Sequence, residues 1–381
     1  MTDLTRRHLL AASALLFAPA SPPLWAATPG ESAATAAEHS AVAGKRPIVL
    51  CWNENPYGPS PAARAALSQA IPQGCRYPDQ EIEPLQQALA EHNGVTPEQV
   101  VIGTGSGELL RVVGLRCAQA SGELIAAQPT YGELPEYARQ VGASVRYVPV
   151  DRAMRHDLTA MRAAITARTR AVYVCNPNNP TGTAVPGAEL EAFITSLPPH
   201  VTAIVDEAYI DFADGADLRS VAGLIRRDER VAVLRTFSKI HGMAGVRCGY
   251  ALAAAPLAAE LASRRMTSPS QFAMRAARAS LGDRAFLAAC RRRILASRAR
   301  ITRELTALHL AYAQPQGNFV FFDTGAPLAQ FTAFMRARDI LVGRLFPPYE
   351  RWCRITIGTE PEVEAFLDGL RAWRSSLPRA A

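Results

Sequence analysis

Only Lys45 and Lys239 are lysines among the 41 basic residues of this 381-residue chain; the rest are arginines. A guanidinium supplies charge but keeps its proton, whereas an amine can lose it and attack a carbonyl. Lys45 lies in a polar, irregular stretch, but Lys239 follows an apolar run at 231–234 and the residues Thr236-Phe237-Ser238, where a strand would end. There it could form an imine with an aldehyde, while Thr236, Ser238 and Arg247 offer two hydroxyls and a guanidinium to a phosphate. Asp206 emerges from an apolar run at 201–205, placed to meet a ring nitrogen and keep it protonated, which turns the ring into an electron sink. Tyr209, three residues on, could hydrogen-bond an oxygen of the same ring. Gly103-Thr104-Gly105-Ser106-Gly107 opens a helical pattern and would present backbone amides, those of Gly105 and Ser106 included, to a phosphate. Glu108 stands where a dinucleotide fingerprint needs its third glycine, and the Gly-Lys-Ser/Thr ending of a nucleotide loop is missing. The turn from Asn176 to Gly182 holds two prolines; it is either a rigid connection alone or a mount that aims the Asn179 amide at the ring.

Such groups need a scaffold. Short apolar runs at 100–102, 123–127, 144–148, 171–175, 201–205 and 231–234 alternate with longer helical patterns, which predicts an α/β fold with a mostly parallel sheet. Ligands of such sheets bind beyond the carboxyl ends of the strands, and five of the six runs are followed by a polar cluster, Gln128-Pro129-Thr130-Tyr131 among them. From about residue 283 the chain turns Arg-rich and helical, then offers strand-like runs at 318–322 and 353–357, which predicts a smaller α+β domain. We expect residues 47–75 to contribute to that small domain, 76–280 to form the large one and 281–381 the rest of the small one. With 49% hydrophobic residues the chain can bury a substantial core. Its net charge of +7 is scattered, unlike a nucleic-acid surface. Seven dispersed cysteines without a Cys-x-x-Cys pair suggest neither disulfide framework nor zinc site.

The start of the chain reads as an address. Thr5-Arg6-Arg7-His8-Leu9-Leu10 and the apolar run after it have the layout of a twin-arginine signal, which predicts export to the periplasm, a signal over residues 1–27 and a flexible leader over 28–46. That apolar run is too short for a comfortable membrane span.

Together these residues resemble fold-type I pyridoxal 5'-phosphate enzymes, the class I/II aminotransferases, and most closely their histidinol-phosphate aminotransferase subfamily. The likeness runs from Leu50 to Leu367 and rests on Asn53-Glu54-Asn55-Pro56-Tyr57-Gly58-Pro59, Arg76-Tyr77-Pro78-Asp79, the Asn176 turn, Asp206-Glu207-Ala208-Tyr209, the stretch around Lys239 and Arg354-Ile355-Thr356-Ile357-Gly358. The resemblance implies that Lys239 carries the cofactor as a Schiff base and shuttles the proton. Asp206, Tyr209 and Asn179 would hold the ring, Tyr131 would stack on it, and Gly105, Ser106, Thr236, Ser238 and Arg247 would bind its phosphate. Tyr77 would reach the phosphate of a neighbouring subunit, implying a homodimer with shared active sites. Arg354 would clamp the substrate acid, with Arg344, Tyr57 and Asn55 nearby. Implied substrates are an amino acid or related amine, with an aromatic side chain as the first guess, and a 2-oxo acid. Decarboxylation, β-elimination or racemisation on the same scaffold, and cofactor binding without turnover, are the rival readings. The chain departs from the subfamily at Gly107, usually Asp, at His241, usually apolar, and over Thr267-Ser268-Pro269-Ser270-Gln271-Phe272, all of which we expect on the substrate side.

Overall fold

In chain order the elements are β1 (Ile48–Val49), α1 (Pro61–Ala70), α2 (Ile82–Asn93), β2 (Val100–Gly103), α3 (Ser106–Gln119), β3 (Glu123–Gln128), α4 (Glu133–Gln140), β4 (Ser144–Pro149), α5 (Leu158–Ala163), β5 (Thr169–Cys175), α6 (Gly187–Thr195), β6 (Thr202–Asp206), β7 (Val231–Thr236) and β8 (Gly249–Ala253). After them come α7 (Ala255–Ser263), α8 (Gln271–Gly282), α9 (Arg284–Ala307), β9 (Phe319–Asp323), α10 (Leu328–Arg336), β10 (Ile340–Leu341), β11 (Trp352–Thr356) and α11 (Glu360–Ser376). This computed structural model describes residues 47–378 except Ala120, so the expected signal and leader lie outside the described residues.

The six apolar runs become β2 to β7; β5, β6 and β7 lie inside the sheet and are almost wholly buried, which is why they read as continuous apolar stretches, whereas β4 is an edge strand and is largely exposed. They form one sheet in the order β2-β8-β7-β6-β5-β3-β4. Pairing is parallel from β7 through β6, β5 and β3 to β4, while β8 runs antiparallel to both β7 and β2. The sequence reading missed β8, whose Gly-Tyr-Ala-Leu-Ala carries no β-branched residue. It also missed the two-residue strands β1 and β10, which pair with each other.

Helices cover both faces of the sheet. Val174, Val205, Val233 and Leu252 pack with Leu85, Leu89 and Leu190 on one face, and Tyr173, Ile204 and Leu234 pack with Leu109, Val113 and Leu257 on the other. A further apolar cluster gathers around the antiparallel pair β9 and β11, where Phe322 and Ile355 meet Ile294, Phe331 and Phe366. The stretch between residues 47 and 75 is shared: Leu50 belongs to this last cluster, while Ala63 and Leu67 of α1 pack with the sheet's first face. No helix among the described residues is long and apolar enough to cross a membrane.

Candidate active site

Strand β6 ends at Asp206, which is buried to 1% exposure. Its carboxylate accepts hydrogen bonds from the Tyr173 hydroxyl at 3.1 Å and the Ala208 amide at 3.1 Å. Burial dominates these and raises its pKa from 3.8 to about 6. Tyr173 reaches it because register sets Tyr173 beside Ile204, so Asp206 lies two residues further along the same face. A buried carboxylate with no ion-pair partner among the described residues suits a protonated ring nitrogen.

Strand β7 ends at Thr236, and the chain then turns tightly, with the Gly242 amide donating to the Lys239 carbonyl at 2.9 Å. A Cβ on Gly242 would strike the carbonyl of Gly58, so the loop from Asn53 to Gly58 closes against this turn. The Lys239 amine donates to the carbonyls of Asn53 at 3.1 Å and Trp52 at 3.4 Å, 5.5 Å from the centre of the Tyr209 ring. Burial and the charge of Arg354 lower its pKa to about 8, so the unprotonated share of the amine becomes large at mildly basic pH. The Tyr209 hydroxyl accepts from the Asn53 side chain at 3.0 Å, and burial raises its pKa, keeping its own proton available for donation.

A cup of potential hydrogen-bond donors to a phosphate forms next to the lysine in the chain. Gly105 has φ +79°, and a Cβ there would come within 2.5 Å of Arg247 Nη2; a Cβ on Gly249 would collide with the Ser106 amide. These contacts bring the first turn of α3, with its free N–H groups, against Arg247. Arg247 donates to Ser238 Oγ at 3.3 Å, and the Ser238 amide donates to Thr236 Oγ1 at 3.0 Å. Arg247 itself holds a left-handed φ of 65°, a strained conformation of the kind that collects at ligand sites. Tyr131, 36% exposed, completes the surroundings: partial desolvation and the charges of Glu133 and Asp206 raise its pKa.

On the far side, Arg354 is buried, donating to Asn179 Oδ1 at 2.6 Å and the Cys51 carbonyl at 2.7 Å. Its guanidinium carbon lies 5.7 Å from the centre of the Phe319 ring and 5.0 Å from that of Phe346. Nε has no partner, and Arg354 forms no ion pair among the described residues. A buried cation in this state suits a ligand carboxylate.

The profile of the family "Aminotransferase class I and II" matches residues 45–370. The chain belongs to the class I and II aminotransferases. It is 37% identical over 330 residues to a histidinol-phosphate aminotransferase of Moorella thermoacetica, covering 85% of this chain and 84% of that protein. It is 38% identical over 338 residues to an aromatic amino acid aminotransferase of Mycobacterium sp. (strain KMS), covering 86% and 92%. The crystal structure of histidinol-phosphate aminotransferase from Sinorhizobium meliloti in complex with pyridoxal-5'-phosphate superposes with a TM-score of 0.83 at 28% identity, covering 95% of this chain and 99% of that one.

The aminotransferase binds pyridoxal 5'-phosphate, and the residues present fit it. Lys239 would hold the aldehyde carbon, Asp206 the ring nitrogen, Tyr209 and Asn179 the phenolic oxygen, and the cup the phosphate. When bound, the cofactor supplies the electron sink that lets a substrate Cα–H bond ionise. Asp206 would then keep the ring nitrogen protonated, and the Lys239 amine would move the proton.

The remaining expected site residues make contacts of their own. Asn55 spends its side chain on the backbone, donating to the Ile240 carbonyl at 2.8 Å and accepting from the Tyr57 amide at 3.1 Å, so it braces the lysine turn. The Tyr57 ring lies under Arg293, at 5.1 Å, and burial raises the pKa of its hydroxyl against the opposing charge of that arginine. Tyr77 is 91% exposed. Arg344 is exposed, its guanidinium 4.7 Å from the Phe346 ring centre. His241 is a packing residue: it lies 4.6 Å from the Phe237 ring and hydrogen-bonds Ser280 at 2.8 Å, and burial pushes its pKa down to about 3. Within the 267–272 stretch, Ser270 caps α8 and Gln271 donates to the carbonyls of Gln73 and Arg76. At Gly107 the side chain of Glu133 approaches the space an added Cβ would face, at 3.8 Å. Sequence reasoning missed Tyr173, and it missed the role of Asn53, whose φ of 55° and bonds to Tyr209, Lys239 and Thr356 tie the first loop to both strand ends.

Proposed function

We propose that this aminotransferase takes nitrogen from an aromatic amino acid and passes it to a 2-oxo acid, working as a periplasmic homodimer. The carrying observation is Arg354, a buried cation without an acidic partner, set between Phe319 and Phe346 and close enough to Lys239 to depress its pKa. A substrate carboxylate bound there puts the amine toward the lysine and the side chain near the rings of Phe319 and Phe346. Arg344 stands beside Arg354 as a second cation for an acidic acceptor. The likeness to an aromatic amino acid aminotransferase supports this choice.

Purified protein given 2-oxoglutarate and, in separate reactions, phenylalanine, tyrosine, tryptophan, alanine and histidinol phosphate should form glutamate fastest with an aromatic donor. A higher kcat/KM for histidinol phosphate refutes the aromatic reading. Release of carbon dioxide or ammonia without glutamate favours the rival reactions.

Tyr77 and Ile71, 91% and 67% exposed, are large side chains left in water on one stretch of chain, which supports an interface there. Sedimentation as a monomer at micromolar concentration counts against the dimer. Export by the twin-arginine machinery rests on Arg6 and Arg7 before an apolar run; cell fractionation should find the protein in the periplasm, and in the cytoplasm once both arginines become lysine.

A further inference from the structure

We propose that the buried ion pair Glu207–Arg235 is a positioning device that sets, from the opposite face of the sheet, how far Asp206 stands from Lys239. Side chains alternate along a strand, so the residue after Asp206 and the residue before Thr236 turn away from the cofactor pocket. They meet on the face where Val205, Val233 and Tyr250 pack, and Arg235 pairs in register with Tyr250. Arg235 reaches Glu207 Oε2 through Nη2 at 2.9 Å and Nε at 3.1 Å; the side chains are 17% and 2% exposed. Ser220 Oγ bridges the pair, donating to Glu207 Oε2 and accepting from Arg235 Nη2, both at 2.7 Å. The Val221 amide fills Glu207 Oε1 at 2.8 Å, and Arg235 Nη1 reaches Asn93 Oδ1 at 3.1 Å.

Stability alone does not call for this arrangement, since a buried pair is costly to desolvate and apolar residues of like volume serve a core as well. Its place explains it better. The last backbone bond between β6 and β7 runs from the Glu207 amide to the Leu234 carbonyl, at 2.9 Å. Beyond it one chain leads to Tyr209 and the other to Ser238 and Lys239. Glu207–Arg235 is the side-chain link at the point of divergence, so a splay of the two strand ends must stretch it. Neither residue is catalytic; both act through Asp206 and Lys239.

The test uses the double variant Glu207→Gln/Arg235→Met, which leaves no unpaired charge inside. The cofactor Kd should rise about tenfold or more, as misplacement by a fraction of an ångström implies. The pH midpoint of the visible band of the loaded protein should move, while the urea midpoint of the cofactor-free protein stays near that of the wild type. An unchanged Kd and band midpoint overturn the proposal. Should the double variant not fold, Ser220→Ala removes the bridging hydroxyl alone and should shift both readouts the same way, Kd by about threefold; no shift there overturns it equally. The proposal rests on Lys239 as the cofactor lysine, and wild-type protein with no visible band would refute that assignment first.

Discussion

Replacing Asp206 by asparagine should stabilise the cofactor-free protein at neutral pH while disabling the enzyme. Burial raises the Asp206 pKa from 3.8 to about 6. Between those values the folded state binds more protons than the unfolded state, so stability falls as pH rises. The contribution is complete below pH 3.8 and lost above about 6, and the gap is worth about 3 kcal/mol. Solvent screening does not reduce it, because the side chain is 1% exposed. Asparagine keeps both hydrogen bonds: its oxygen can accept from the Ala208 amide and its NH2 can donate to the Tyr173 hydroxyl. The assay is urea unfolding of cofactor-free wild type and Asp206→Asn from pH 4 to 8. Subtracting one series from the other removes every other titrating group. The difference should grow in favour of the variant by about 2 to 3 kcal/mol across the window, and the variant should bind cofactor weakly. In loaded wild type the ring cation offsets the burial, and the downward slope should vanish. A difference that stays flat with pH, or favours wild type as pH rises, refutes the account of Asp206 as a carboxylate waiting for a cation.

Lys239, with its pKa lowered to about 8, is half unprotonated near that pH, so the visible band should grow in faster between pH 7 and 8 and level off by about pH 9. A rate that still rises steeply between pH 9 and 10 would mean an unperturbed amine. Arg354→Met should raise KM for carboxylate-bearing donors by about a hundredfold and leave the visible band in place; steady-state kinetics with and without substrate carboxylate check this, and equal losses for phenylalanine and phenethylamine would count against the clamp.

What the sequence made legible was whatever its chemistry confined to one short segment. Lys239 stood out because arginine supplies nearly every other positive charge, and Asp206 because a carboxylate ended an apolar run whose neighbours also ended in polar clusters. Tyr173 was hidden, since a tyrosine inside Thr169–Cys175 looks like core; only the register of β5 against β6 shows that its hydroxyl lands on the carboxylate. Asn53 was hidden more deeply, because its partners Tyr209 and Thr356 lie 156 and 303 residues away and only tertiary closure joins them. The substrate side suffers most from this. Asn55 and Tyr57 share a motif with Asn53, yet side-chain direction sends one to the lysine turn and the other under Arg293. A motif shows that a loop approaches a site, and packing decides which of its side chains enters. The cofactor groups escaped that ambiguity because strand ends of a parallel sheet all point the same way.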